Sequence, residues 1–211
     1  MKGLIVSSGA IYNLKRLECV AKKCDFVLCA DGGANHLLKI NYKPNLVVGD
    51  LDSIDKETLR VLEEEKIPIN RFPSKKDATD TELAIEYLIQ KGFKDITLMG
   101  VTGTRKDHTL ANVFLLKRIL DNGIKGKIVD DNNIIYLIDD YLELKYYEDT
   151  FVSIIPITDE GIVVTLQGFE YPLDKTQIDF GSTHGVSNKI VENVGRVIIH
   201  KGKCLVFISK D

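Results

Sequence analysis

Phe26-Val27-Leu28-Cys29-Ala30-Asp31-Gly32-Gly33-Ala34-Asn35 opens on five apolar residues and then turns sharply polar. An unbroken apolar run suits a strand buried on both faces, the situation of strands in a parallel sheet. An acid and two glycines follow, and a helical pattern begins over 33–40. Strand, tight turn and helix in that order form the first half of a βαβ unit. The same succession recurs up to about residue 131. Apolar runs stand at 4–7, 26–30, 46–48, 67–70, 96–99 and 127–129, and helical patterns lie over 12–23, 33–40, 55–65, 80–91 and 108–121. Within 80–91, Ala84, Ile85 and Leu88 recur at helical spacing while Glu82 and Glu86 take another face. The alternation predicts an α/β domain over 1–131, doubly wound around a mostly parallel sheet.

After residue 131 the texture changes. Short β-rich runs at 134–138, 141–145, 151–156, 162–166 and 189–191 are broken by Asp, Glu and Gly. Runs at 195–200 and 203–209 flank Lys201-Gly202, which reads as a tight hairpin turn. No long amphipathic pattern stands among them. The expectation for 132–211 is a small antiparallel β-sandwich, joined to the first domain by a short connection.

The chain has 211 residues, room for one large domain or two small ones. At 44% hydrophobic and 28% charged it can build a core without metal or disulfide staples. Formal net charge is −3 and no basic block is interleaved with aromatics, so non-specific nucleic-acid binding lacks its driving force. Cys19, Cys24 and Cys29 are spaced unlike a zinc finger, and Cys29 sits in an apolar run where it acts as a small hydrophobe. With no disulfide framework, a reducing cytoplasm is expected. The N-terminal apolar stretch is too short for a signal peptide, and no run approaches the roughly 18 apolar residues of a membrane span.

Ligands of an open α/β sheet bind where strands end and helices begin. Four successive strand ends deliver acids: Asp31-Gly32-Gly33-Ala34-Asn35, Gly49-Asp50-Leu51-Asp52-Ser53, Lys75-Lys76-Asp77-Ala78-Thr79-Asp80 and Gly100-Val101-Thr102-Gly103-Thr104-Arg105-Lys106-Asp107-His108. Asp50 and Asp52, at i and i+2 of an extended chain, share a face and could reach one site. Paired carboxylates repel unless a cation or a proton intervenes, and hard oxygen ligands used with phosphates suit Mg²⁺. An ordinary turn with Asp52 or Ser53 capping the next helix reads equally well. Thr79 and Glu82 form a capping-box pattern that puts Asp80 in the first turn of a helix, where it would also complement the dipole. Lys75 and Lys76 are solvated charges or phosphate partners. The 100–108 segment resembles a phosphate loop without the ending of a P-loop, and Arg105 offers a bidentate fork. His108 reads as a capping or packing residue. Taken together, the four acidic ends point to a magnesium–nucleotide site.

These segments, in this order, resemble the thiamine pyrophosphokinase family. Asp77-Ala78-Thr79-Asp80-Thr81-Glu82-Leu83-Ala84 and Gly103-Thr104-Arg105-Lys106-Asp107-His108 match along the first domain, and Ser182-Thr183-His184-Gly185-Val186-Ser187-Asn188 resembles the family's thiamine-side motif. The resemblance implies ATP and Mg²⁺ over the strand ends and a homodimer with active sites at the subunit interface. It also implies transfer of diphosphate from ATP to the thiamine hydroxyl, releasing AMP. Carried over, Asp50, Asp52 and Asp80 would be catalytic and hold the metal. Asp31, Gly32, Asn35, Thr102, Gly103, Arg105 and Asp107 would contact the nucleotide or brace its loops. Asp77, Ser187 and Asn188 would serve thiamine. Some relatives stack an aromatic residue, Trp in eukaryotes, on the thiamine near that motif. This chain has no Trp, and Lys189 and Ile190 follow Asn188.

Two rival readings use the same acids. A diphosphokinase for another small alcohol, such as a hydroxymethylpterin, would differ in the acceptor pocket of the second domain. A non-catalytic nucleotide-binding module would need phosphate contacts but has little use for so many carboxylates.

Overall fold

In the computed structural model, which describes residues 1–71 and 77–210, contacts separate two units, Met1–Asp131 and Asn132–Asp211. The first unit's strands are β1 (Lys2–Val6), β2 (Phe26–Ala30), β3 (Leu46–Gly49), β4 (Ile69–Arg71), β5 (Asp95–Met99) and β6 (Lys125–Val129). They lie in the order β4-β3-β2-β1-β5-β6, and every neighbouring pair is parallel. The order grows outward from β1 one way and then restarts at β5 the other way. That reversal is the topological switch point at which α/β sheets bind ligands.

Leu4, Ile5 and Val6 are consecutive in β1 and all fully buried, so both faces of the sheet are covered. Each such side chain contributes about 1.5–3 kcal/mol through burial. The cover comes from α1 (Leu14–Ala21), α2 (Gly33–Leu38), α3 (Lys56–Glu64), α4 (Asp80–Gln90) and α5 (Lys106–Asp121). They pack in two groups, α1 with α2 and α3, and α4 with α5. Gly33 lets α2 start hard against β1, because a Cβ there would lie 1.9 Å from the Val6 carbonyl oxygen. Thr79 caps α4, its Oγ1 accepting from the Glu82 N–H at 3.2 Å. Only that half of the capping box forms. The Glu82 carboxylate pairs with Arg118 of α5 at 2.9 Å, and Glu86 meets the same guanidinium.

The second unit comprises β7 (Asn133–Ile138), β8 (Tyr141–Lys145), β9 (Phe151–Pro156), β10 (Ile162–Gln167), β11 (Leu173–Ile178), β12 (Val194–Lys201) and β13 (Cys204–Ser209). One antiparallel layer runs β7-β13-β9 and the other β11-β10-β12-β8. Val152, Ile154 and Val206 of the first layer and Val164, Leu166 and Val197 of the second share one core, which makes a sandwich.

Three strand expectations change here. The turn at Lys201-Gly202 exists, with Gly202 at φ +85°, but β12 and β13 belong to different layers, so it is a crossover and not a hairpin. The 189–191 run forms no strand; Ile190 makes only an isolated bridge to Phe169. β11 had no apolar signal because its interior is Asp-Lys-Thr-Gln and it pairs with β10 alone, as a polar edge strand. Cys29 and Cys204 are buried free thiols, and burial pushes the Cys204 thiol up to about 12. Among the described residues no helix is long and apolar enough to cross a membrane.

Candidate active site

At the switch point the ends of β1 and β5 open into a cavity of about 600 Å³. Ser7 continues the pairing by donating its N–H to Met99 at 2.9 Å, and Gly9 donates to Gly100 at 2.7 Å. Gly100 sits at φ +66° with its Cα so close that a Cβ would lie 2.2 Å from the Ser7 carbonyl oxygen. The Gly9 carbonyl accepts from His36 Nε2 at 2.8 Å, while His36 Nδ1 is buried without a partner. Burial lowers the His36 pKa, against a raising contribution from the Gly9 carbonyl. The backbone of Ser8, Gly9 and Ala10 therefore forms one wall. Thr81 and Ser7 join behind it, their hydroxyls 2.9 Å apart and buried.

Asp31, Asp50 and Asp52 present carboxylate oxygens within 4.8 Å of one another. Asp31 is buried and its Oδ1 has no hydrogen-bond partner. The route by which Asp50 and Asp52 converge differs from the extended chain expected. Leu51 between them is left-handed at φ +69° with its side chain buried, and the Asp52 N–H turns back to Asp50 Oδ1 at 3.2 Å. A turn, not a strand, aims both acids. Asp31 is itself left-handed at φ +50°. Two unit charges about 4 Å apart near a protein surface oppose each other by about 4 kcal/mol before screening, so three such groups together favour a cation.

The remaining predicted residues fall into lining and bracing roles. Asp80, the first residue of α4, lines the cavity with Asp31 and Asp50. Thr102, Gly103 and Arg105 line the opposite side. Arg105 is exposed and paired bidentately with Asp107, at 2.6 Å from Nη2 and 3.3 Å from Nε. The Arg105 side-chain hydrogen bond holds Asp107 down to about 2. Asn35 braces the acidic turn, donating to the Ser53 carbonyl at 3.0 Å and accepting from the Asp55 N–H at 3.1 Å. Gly32 packs where a Cβ would meet the Ser53 carbonyl oxygen at 2.8 Å. Asp77 is exposed just before the Thr79 cap. His108 neither caps nor packs: Arg105 is the N-cap of α5, and His108 is exposed on the cavity rim. Lys75 and Lys76 lie outside the described residues.

In the second unit, Ser187 is exposed and left-handed at φ +61°, its N–H held by Ser153 Oγ at 3.0 Å. Asn188 is buried. Its Oδ1 accepts from the Tyr171 and Lys189 N–H groups and its Nδ2 donates to the Tyr171 carbonyl at 2.8 Å. The amide thus fixes Tyr171, which is 63% exposed and lines a cavity of about 210 Å³ with His184 and Val186. Sequence reasoning passed over Tyr171, although an aromatic directly before Pro172 in a β-to-β loop was a visible cue. It also passed over Ser7, Thr81 and His36, whose polar atoms meet only in three dimensions.

Comparison with known proteins places this geometry. Residues 17–128 match the family model "Thiamin pyrophosphokinase, catalytic domain", and residues 138–204 match "Thiamin pyrophosphokinase, vitamin B1 binding domain". The thiamine pyrophosphokinase of Bacillus subtilis is 32% identical over 86% of this chain and 86% of its own length. A crystal structure of the Bacillus subtilis enzyme superposes with a TM-score of 0.89 at 28% identity, covering all of both chains. The Geobacillus thermodenitrificans enzyme does so at 0.86 and 28%, covering 100% of this chain and 98% of its own. Strand order, acidic strand ends and both family models agree, and the chain belongs to the thiamine pyrophosphokinase family.

Proposed function

We propose that the chain transfers the diphosphate of ATP to the hydroxyl of thiamine. The hydroxyl oxygen bonds to the β-phosphorus, the bridge between α- and β-phosphates breaks, AMP leaves and the hydroxyl proton is released. The observation that carries this reading is the buried, unpartnered Oδ1 of Asp31 beside Asp50 and Asp52, in a glycine-walled cavity at the switch point. An orphaned buried carboxylate oxygen among hard oxygen donors fits Mg²⁺. Asp31, Asp50 and Asp52 would hold it, with Asp80, which lines the same cavity outside that cluster, as a further donor. When bound it neutralises charge on the triphosphate.

The chain's own residues do the rest by positioning, which is most of what phosphoryl-type transfer asks of a protein. The 8–10 and 102–104 loops form the phosphate walls, the Gly9 and Gly103 N–H groups being used to hold the loops and the neighbouring N–H groups turned to the phosphates. Arg105 contributes its fork, pre-oriented by Asp107. Asp77 and Ser187 serve thiamine, Tyr171 supplies an aromatic face in place of Trp, and Asn188 fixes Tyr171. We place the enzyme in the cytoplasm as a homodimer whose sites pair one subunit's first domain with its partner's second. Its unbridged thiols support the compartment. Sedimentation as a single chain at micromolar concentration would remove the dimer. The match of 138–204 to a vitamin B1 binding domain favours thiamine over a hydroxymethylpterin, and three clustered carboxylates favour catalysis over passive nucleotide binding.

An AMP-release assay tests the reading directly. With ATP and Mg²⁺, AMP and thiamine diphosphate should form in equal amounts and only when thiamine is present. Turnover with a hydroxymethylpterin and none with thiamine would transfer the site to the rival reaction.

A further inference from the structure

The sixth strand of the first unit also ends in acids, Asp130-Asp131, and neither has been placed in the site above. β6 stops at Val129, so both emerge at the same edge of the parallel sheet as the cavity. Asp131 grips the loop between β1 and α1. Its Oδ2 accepts from the Tyr12 N–H at 2.9 Å and its Oδ1 from the Asn13 N–H at 2.8 Å. Arg16, in the first turn of α1, closes the clamp by donating to the Asp131 carbonyl at 2.9 Å. Asp130 takes the other wall, accepting from the Thr102 hydroxyl at 3.2 Å.

Both gripped segments are cavity walls. The β1–α1 loop is fixed at Gly9 by Gly100 and His36, and at Tyr12 and Asn13 by Asp131. Ser8, Gly9 and Ala10, held by these two anchors, line the cavity, and so does Thr102. Without the second anchor the far end of the loop would be held only through Asn13, the N-cap of α1, with nothing tying it to the sheet edge at β6. A backbone wall that meets phosphate oxygens through N–H groups works only if its position is fixed before the ligand arrives, since ordering it on binding lowers affinity. A carboxylate accepting two backbone N–H groups makes strong charge-assisted bonds.

We propose that Asp130-Asp131 is a positioning pair that sets the width of the nucleotide cavity by fixing its two loop walls, with Asp131 the dominant member. The proposal rests on the reading of that cavity as the ATP site. Neither residue touches the substrate in this proposal.

The test is calorimetric titration of the full-length protein with Mg²⁺ and α,β-methylene-ATP, alongside steady-state kinetics. Asp131→Ala should weaken analogue binding by about tenfold and raise KM for ATP by a similar factor, with kcat within about twofold and KM for thiamine unchanged. Asp131→Asn keeps a carbonyl oxygen for one N–H and should lose only about two- to threefold. Arg16→Ala should shift affinity in the same direction by less than Asp131→Ala, and it keeps the proposal testable if Asp131→Ala does not fold. A folded Asp131→Ala with wild-type affinity, or one that loses kcat and melting temperature at unchanged KM for ATP, would reduce the pair to scaffold. If Asp131→Ala does not fold, unchanged affinity in both Asp131→Asn and Arg16→Ala would likewise reduce it to scaffold. Absence of analogue binding by the wild-type protein would instead overturn the nucleotide reading, and this inference with it.

Discussion

Besides Asp31 itself, two loops of this chain place a non-glycine residue in the left-handed region beside residues marked for function, and they use it differently. At Asp50-Leu51-Asp52, Leu51 lies at φ +69°, and at Val186-Ser187-Asn188, Ser187 lies at φ +61°. Such a conformation costs on the order of 1–3 kcal/mol and persists only where its surroundings over-determine it. In the first loop it gathers carboxylates around a buried oxygen of Asp31 that has no partner. In the second, the neighbouring Asn188 amide is engaged by three backbone groups. Strain therefore does not by itself mark a ligating residue. Polar capacity left unused beside the first loop, at Asp31, is what favours the proposal of a ligand there, whereas the Asn188 amide is spent on the protein's own backbone.

The largest effect should come from the first loop. Asp50→Asn or Asp52→Asn keeps the oxygen that accepts from the Asp52 N–H or from Ser53 Oγ, so the turn survives and only charge is lost. AMP release should fall by roughly a hundredfold or more. Thermal stability without Mg²⁺ should stay level or rise, because like charges are separated. A variant that melts well below wild type yet turns over normally would return both acids to the role of turn residues and erase the contrast.

The contrast also explains what was legible in the sequence. Strands buried on both faces need unbroken apolar runs, so β1, β2, β3 and β5 could be read directly, and the ends of the last three named acids. Leu51 could not be read, since its left-handed backbone is imposed by the buried side chain and the neighbouring turn and no residue type announces it. The Lys201-Gly202 turn was readable because turn chemistry is local. Which layer each flanking strand joins is decided by partners dozens of residues away. Asp130-Asp131 obeys the same strand-end rule as the other acids and could have been found by it. What hid the pair was the change in texture at 131, which drew attention to a boundary. The roles of Asn188 and Tyr171 separate only once the amide's partners are seen.

The second loop gives the intermediate effect. Asn188→Ala leaves the Tyr171 N–H and carbonyl without their buried partner and should cost about 1–3 kcal/mol, read as a lower melting temperature. With Tyr171 loosened, KM for thiamine should rise several-fold while KM for ATP holds. Asn188→Asp retains an acceptor for the Tyr171 N–H but loses the donor to its carbonyl, and should fall between. An Asn188→Ala protein of undiminished stability with a large loss of thiamine affinity would mean the amide touches the substrate, making the two loops alike.

The smallest effect concerns His36, the polar group beside the first loop's cavity that is half satisfied. Nε2 donates to Gly9 while Nδ1 is buried without a partner, and burial lowers the ring's pKa below its usual value. A histidine whose folded pKa is depressed binds protons less readily than in the unfolded chain. Its contribution to stability is therefore fully present above the unfolded pKa of about 6.5 and is lost as pH falls below it. Lys39, the C-cap of its own helix, also lowers its pKa, while backbone hydrogen bonds to Gly9 and Ser8 raise it. His36→Gln offers a neutral donor for the Gly9 carbonyl at all pH values. Melting temperature plotted from pH 7.5 to 5 should then slope less steeply for His36→Gln than for wild type, while the curves stay close near neutrality. Parallel curves would mean that the ring is not titrating in that window, and that the wall at Gly9 is indifferent to its charge.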